Sequence, residues 1–280
     1  MREISKGAVH LVYDDEGSGP AVLFSHCWYC DARQWPQAAS VAHAGFRVLN
    51  LDNRGHGRSG PYRERHTMWD IGDDLIAVLD DAGEEQAVLV GLSIGGFAAV
   101  RAALRHPARV RALVLAATIG GLESRAALAQ SRFFLPLIPT PVRPLLIPML
   151  ISMLFGPTAR RTQPALIEAW RQRFVAQDAR SMAAAFDAAI IHRDDVSSRL
   201  GQIGVPTLVV IGQEDPALAD ASEMAGQIPG ARLVVLPEAG HLSALESPQR
   251  FETALLEFLG GLPGPIEPAP AQQARALTTA

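Results

Sequence analysis

Ser93 stands in Gly91-Leu92-Ser93-Ile94-Gly95-Gly96, directly after the apolar run Val88-Leu89-Val90 and ahead of a helix-compatible stretch. Gly-x-Ser-x-Gly in that setting describes a sharp strand-to-helix turn, in which the serine backbone is strained and the flanking glycines relieve the clash. The hydroxyl then sits at a helix N-terminus, where unpaired N–H groups favour developing negative charge. A serine is a weak nucleophile until a base takes its proton, and the base needs a carboxylate to orient it. His241, in Gly240-His241-Leu242, and Asp215, in Gly212-Gln213-Glu214-Asp215-Pro216, supply both types, each just beyond a short apolar run. Glu214 and Asp220 compete with Asp215 for the acid role, and Glu123 offers a further carboxylate beyond an earlier run.

Two other patterns suggest different chemistry. Cys27-Trp28-Tyr29-Cys30 has the spacing of a redox dithiol. Such pairs work when a helix N-terminus lowers the first thiol, and this pair falls in a loop after an early strand. The chemistry is therefore expected to be indifferent to both cysteines. A metal is not expected either, since a zinc site needs more ligands than nearby His26 supplies. Gly55-His56-Gly57-Arg58-Ser59-Gly60 matches a dinucleotide fingerprint, but Gly60-Pro61 continues a loop where a helix must begin. No cofactor is expected, and His56 reads as a structural loop residue.

The elements that must position these residues alternate. Residues 8–13, 21–24, 47–51, 87–90, 110–115, 207–211 and 232–236 read as strands, with a turn cluster over 14–20. Helices are predicted over 68–82, 96–104 and 248–259, the last opened by Ser247 as N-cap and Pro248 in the first turn. Strand–helix alternation predicts a doubly wound, mostly parallel α/β sheet. Its loops after strand C-termini are where such sheets place their sites. The alternation stops over residues 120–200, which are helix-leaning and proline-punctuated. This stretch reads as an inserted helical cap, with residues 1–119 and 201–262 forming the core. Residues 263–280 read as a flexible tail.

The composition narrows the partners. Against 29 acidic residues stand 25 basic ones, a net charge of −4, which offers no field for nucleic acid. With 48% hydrophobic and 19% charged residues the chain has enough apolar content for a large core. The most apolar stretch, 133–155, is broken by prolines 136, 139, 141, 144 and 148, so no membrane span is expected. Charged residues throughout 1–20 argue against a secretory signal, and two cysteines cannot build a disulfide framework. A cytoplasmic location is the expectation. Homo-oligomerisation is left open.

From about residue 8 to 260 the chain resembles the α/β-hydrolase superfamily. The resemblance rests on Ser25-His26-Cys27-Trp28, Asp52-Asn53-Arg54-Gly55-His56-Gly57-Arg58-Ser59, the serine turn, residues 212–216 and Gly240-His241. The order Ser93, Asp215, His241 is the one the superfamily uses. Residues 91–96 and 240–248 look most like 3-oxoadipate enol-lactonases and their esterase relatives. The resemblance implies the α/β-hydrolase fold, with Ser93 as nucleophile, His241 as base and Asp215 as the acid. It also implies an oxyanion hole from the N–H groups of Ile94 and Trp28. One departure bears on Trp28: the family usually has His-Gly where this chain has His26-Cys27. The function implied is hydrolysis of a small ester or lactone through an acyl-enzyme on Ser93. The same triad would serve a cofactor-free haloperoxidase or perhydrolase, or a carbon–carbon bond hydrolase, and a slow-turnover ligand-binding protein is a further alternative. Activity is expected to be lost as His241 protonates, near or below pH ~6.5.

Overall fold

The computed structural model describes residues 1–264. Eight strands form one sheet: β1 (Arg2–Lys6), β2 (Val9–Gly17), β3 (Ala21–Ser25), β4 (Arg47–Asp52), β5 (Ala87–Leu92), β6 (Val110–Ala116), β7 (Thr207–Gly212) and β8 (Arg232–Leu236). They lie in the order β1-β2-β4-β3-β5-β6-β7-β8. β1 and β2 run antiparallel to their neighbours, and every pair from β4 to β8 is parallel. β3, β5 and β7 are buried along their whole length, as strands covered on both faces must be, which explains their unbroken apolar runs.

Helices cover both faces: α1 (Gln37–His43), α2 (Met68–Ala82), α3 (Ile94–Arg105), α9 (Leu218–Gln227), α10 (Ser243–Glu246) and α11 (Pro248–Gly260). The α2 boundaries follow from local chemistry. Thr67 and Asp70 form a reciprocal capping box, and Gly83 ends the helix in the left-handed region. α11 starts at Pro248 as expected, although the Ser247 side chain makes no capping bond. Between β6 and β7 the chain forms α4 (Arg125–Phe134), α5 (Ile147–Leu154), α6 (Pro157–Thr162), α7 (Pro164–Ala176) and α8 (Ala179–Phe186), with no strand. Among the described residues no helix is long and apolar enough to cross a membrane.

Two differences from the sequence reading concern the N-terminal edge. β1 precedes the expected first strand, and β2 continues through Asp14, Asp15 and Glu16, where a turn was expected. Two of those acids meet basic side chains: Arg47 of β4 grips Asp15 at 2.9 and 2.7 Å, and Arg58, beyond β4, holds Asp14 at 2.7 and 2.9 Å. The tail expected from residue 263 lies, from 265 onward, outside the described residues.

Candidate active site

β3 and β5 are neighbours, with Ser25 paired to Gly91, so the loop after β3 meets the serine turn after β5. Ser93 has φ 53° and ψ −110°, a strained backbone for a residue with a side chain. Its N–H donates to the Ala116 carbonyl at 2.9 Å, which locks the turn to the end of β6. Gly95 is obligatory by crowding: a Cβ there would collide with the Ser25 carbonyl. These constraints lift the Ser93 hydroxyl to the first turn of α3, and the residue keeps 9% exposure.

The loops after β7 and β8 are stitched together. Gln213 N–H donates to the Leu236 carbonyl and Glu214 N–H to the Ala239 carbonyl, both at 2.8 Å. Asp215 Oδ2 then accepts from His241 Nδ1 at 2.9 Å, while Oδ1 accepts the Ala217 N–H at 2.9 Å. Burial opposes charge on Asp215, but His241 and that N–H hold its carboxyl below the usual range. Burial likewise opposes the His241 imidazolium, yet Asp215 and then Cys27 outweigh it and raise the imidazole well above the ordinary value. Loss of base function near or below pH ~6.5 is therefore corrected upward.

The competing carboxylates have other partners. Glu214 accepts the Thr158 N–H at 2.8 Å and its hydroxyl at 2.6 Å, tying this loop to α6. Glu123 pairs with Arg193 at 2.8 Å, and Asp220 is exposed in the first turn of α9. His56 is buried, and burial pushes it down to about 3, consistent with a neutral structural residue.

The loop after β3 is fixed by His26. Asn53 N–H donates to His26 Nε2 at 2.9 Å, so Nδ1 carries the proton and donates to the Cys27 carbonyl at 2.8 Å. Cys27 N–H is spent on Gln34 Oε1 at 2.9 Å. Among the described residues the Trp28 and Ile94 N–H groups meet no protein acceptor. The Trp28 side chain reaches across to the Met182 carbonyl at 2.9 Å and stacks on Phe186 of α8.

Cys27 stands two residues past Ser25 as Ser93 stands two past Gly91, on neighbouring parallel strands, so its loop borders the serine turn. The Cys30 thiol, with His241 and Ser93 adding to it, pushes Cys27 down to about 5 against the effect of burial. Cys30 is driven up, first by Cys27 and then by burial. Neighbouring side chains, Cys30 first and then His241, thus favour the thiolate without a helix N-terminus.

Glu246 was not singled out by sequence, though it stands five residues past His241. Its Oε2 accepts the N–H groups of Gly240 and Gly156, each at 2.9 Å, and Oε1 accepts that of Leu242 at 3.0 Å. The carboxylate thus braces the backbone on both sides of His241 and pins the start of α6. Burial raises its carboxyl despite these donors. The available signal was an isolated acid in the apolar turn Leu242-Ser243-Ala244-Leu245-Glu246. Among the described residues no group of three His, Cys, Asp or Glu side chains is placed to hold a metal.

An eight-stranded sheet with a strained serine after β5 and a carboxylate–histidine pair after β7 and β8 defines a hydrolase-type site. Residues 20–248 match the family model described as alpha/beta hydrolase fold, and the chain belongs to that family. It is similar to 3-oxoadipate enol-lactonase 2 of Acinetobacter baylyi, at 29% identity over 84% of this chain and 87% of that one. Among solved structures, a thermophilic esterase from Thermogutta terrifontis is 30% identical, with TM-score 0.86 over 93% of this chain and 98% of the other. The enol-lactonase from Burkholderia xenovorans LB400 is 26% identical, with TM-score 0.84 over 92% and 100%.

Proposed function

We propose that this chain is a serine hydrolase of small carboxylic esters or lactones, with residues 120–200 forming a cap over its site. Ser93 Oγ attacks the substrate carbonyl while His241 Nε2 takes its proton. Asp215, on Nδ1, fixes the tautomer and stabilises the imidazolium. The N–H groups of Trp28 and Ile94 receive the oxyanion. His241 then protonates the leaving alcohol and activates the water that frees the acid. No metal or cofactor enters this scheme.

The observation that carries the reading is the strained Ser93 backbone, at φ 53° and ψ −110°, in a sheet whose later loops pair Asp215 with His241 at 2.9 Å. Strain of this kind costs on the order of 1–3 kcal/mol and persists where surrounding structure imposes it for function. The substrate class draws support from the lactonase and esterase relatives. A cytoplasmic location belongs to the same reading, supported by a cysteine count too low for a disulfide framework.

A panel of p-nitrophenyl esters of increasing chain length, run beside several lactones, tests the proposal. At least one is turned over, and Ser93→Ala abolishes that turnover while the fold persists. Retention of more than a few per cent of activity in the purified variant overturns Ser93 as nucleophile.

A further inference from the structure

We propose that Cys27 and Cys30 form an oxidisable dithiol inside the catalytic site, which hydrogen peroxide closes to a disulfide, releasing His241 to Ser93. The effect on Ser93 rests on the serine-hydrolase reading; the dithiol chemistry does not.

The two residues end a closed turn, in which Cys30 N–H donates to the Cys27 carbonyl at 3.1 Å. Such a turn holds its terminal Cα atoms within about 7 Å, and a disulfide needs about 4.4–6.8 Å. Tyr29 takes the left-handed φ of 55° that the turn demands. Its ring stacks on Phe174 of α7 at 4.1 Å, and Trp28 stacks on Phe186 at 4.6 Å. His26 and Gln34 pin the Cys27 carbonyl and N–H from the core side. The pair is thus held from both sides at the two ends of one closed turn, and both residues are only 1% exposed. A small oxidant enters where Ser93 and the 18%-exposed His241 side chain meet solvent.

Cys27 is the attacking sulfur, since its proton passes readily to the adjacent imidazole. Its thiolate attacks one peroxide oxygen: an S–O bond forms, the O–O bond breaks, and the departing hydroxide takes the His241 proton to leave as water. Cys30 sulfur then attacks the sulfenic acid. The S–S bond forms, the S–O bond breaks, and the hydroxide leaves with the Cys30 proton as a second water. Two thiols are oxidised and one peroxide is reduced.

The consequence for hydrolysis follows from charge. A thiolate beside Ser93 retains a proton on His241 and opposes the negative charge that builds on the oxyanion. A disulfide carries no charge and leaves the imidazole to Asp215 alone, so closure favours the base form. Cys27 thereby acts on the reaction through His241 and the local field.

The test uses the full chain, fully reduced or treated with hydrogen peroxide, read by intact mass and by NMR titration of the His241 ring protons. Neither readout requires a substrate, so failure of the ester and lactone panel refutes only the hydrolase reading. Peroxide is expected to remove two hydrogens from the mass and both free thiols. It is also expected to lower the His241 midpoint by on the order of one pH unit, a tenfold change in base availability at fixed pH. Cys30→Ser is expected to keep reduced-state hydrolysis and to halt at a dimedone-trappable sulfenic acid on Cys27. Free thiols persisting after peroxide overturn the proposal. So does a disulfide that leaves the His241 midpoint unmoved, or a Cys30→Ser chain with no label on Cys27.

Discussion

Replacing Asp215 by Asn changes one oxygen to an amide nitrogen and leaves the shape almost intact. The native carboxylate makes two contacts, Oδ1 with Ala217 N–H and Oδ2 with His241 Nδ1, both at 2.9 Å. An asparagine oxygen keeps the Ala217 contact, which turns the amide NH2 toward His241. Nδ1 must then accept, the ring proton moves to Nε2, and the lone pair that should take the Ser93 proton disappears. The imidazolium also loses its facing charge. The expected fall in kcat/KM is about 10⁴, or about 5.5 kcal/mol of transition-state stabilisation at 1.36 kcal/mol per decade. Glu214→Gln is the matched control, because Glu214 serves Thr158, and an amide oxygen still accepts one of those two bonds. Its cost is expected at roughly tenfold or less, the size of a screened neighbouring charge. Both variants are assayed on the best ester from the panel, with circular dichroism to confirm folding. A Glu214→Gln loss exceeding that of Asp215→Asn refutes the assignment of the acid.

Glu246→Ala strips the acceptor from three buried N–H groups and should destabilise the chain by roughly 3 kcal/mol or more, read as a lower denaturant midpoint at unchanged slope. A shift below ~1 kcal/mol contradicts the bracing role. Gly95→Ala drives a Cβ into the Ser25 carbonyl and should cost at least about 1–3 kcal/mol together with most of the activity, and unimpaired melting refutes that close approach. In the pH–rate profile, His241 acts only when neutral and its folded value is raised, so activity falls as pH drops through a midpoint above ~6.5. Cys27→Gly removes one of the groups that raise His241, and the acid limb of reduced protein should move to lower pH. A limb at or below the free-histidine value in the native chain contradicts the pairing.

Local signals in the sequence were readable where chemistry and backbone constraint coincide. Ser93 announces itself because its glycines are needed within three residues of it, and Asp215 and His241 because each follows a short apolar run. What escaped was the direction of side chains set by distant segments. Nothing near Cys27 says that its loop meets the serine turn, since that follows from β3 lying beside β5 and from the grip of Asn53 on His26. Glu246 escaped for the same reason: one of its three donors, Gly156, lies in the helical segment between β6 and β7. The Asp14–Glu16 stretch of β2 reads as a turn in sequence because the partners of its two aspartates, Arg47 in β4 and Arg58 beyond it, come from distant parts of the chain.

The proposed hydrolysis stands or falls with Ser93 as a nucleophile activated by His241. Incubation with a fluorophosphonate followed by intact mass and peptide mapping tests it most directly. The expected result is one stoichiometric phosphonyl adduct on Ser93, loss of ester or lactone turnover in step with labelling, and no adduct in Ser93→Ala or at a pH where His241 is protonated. An unlabelled Ser93 in a folded chain that still turns over substrate, or an adduct on another residue that tracks the loss of activity, contradicts it.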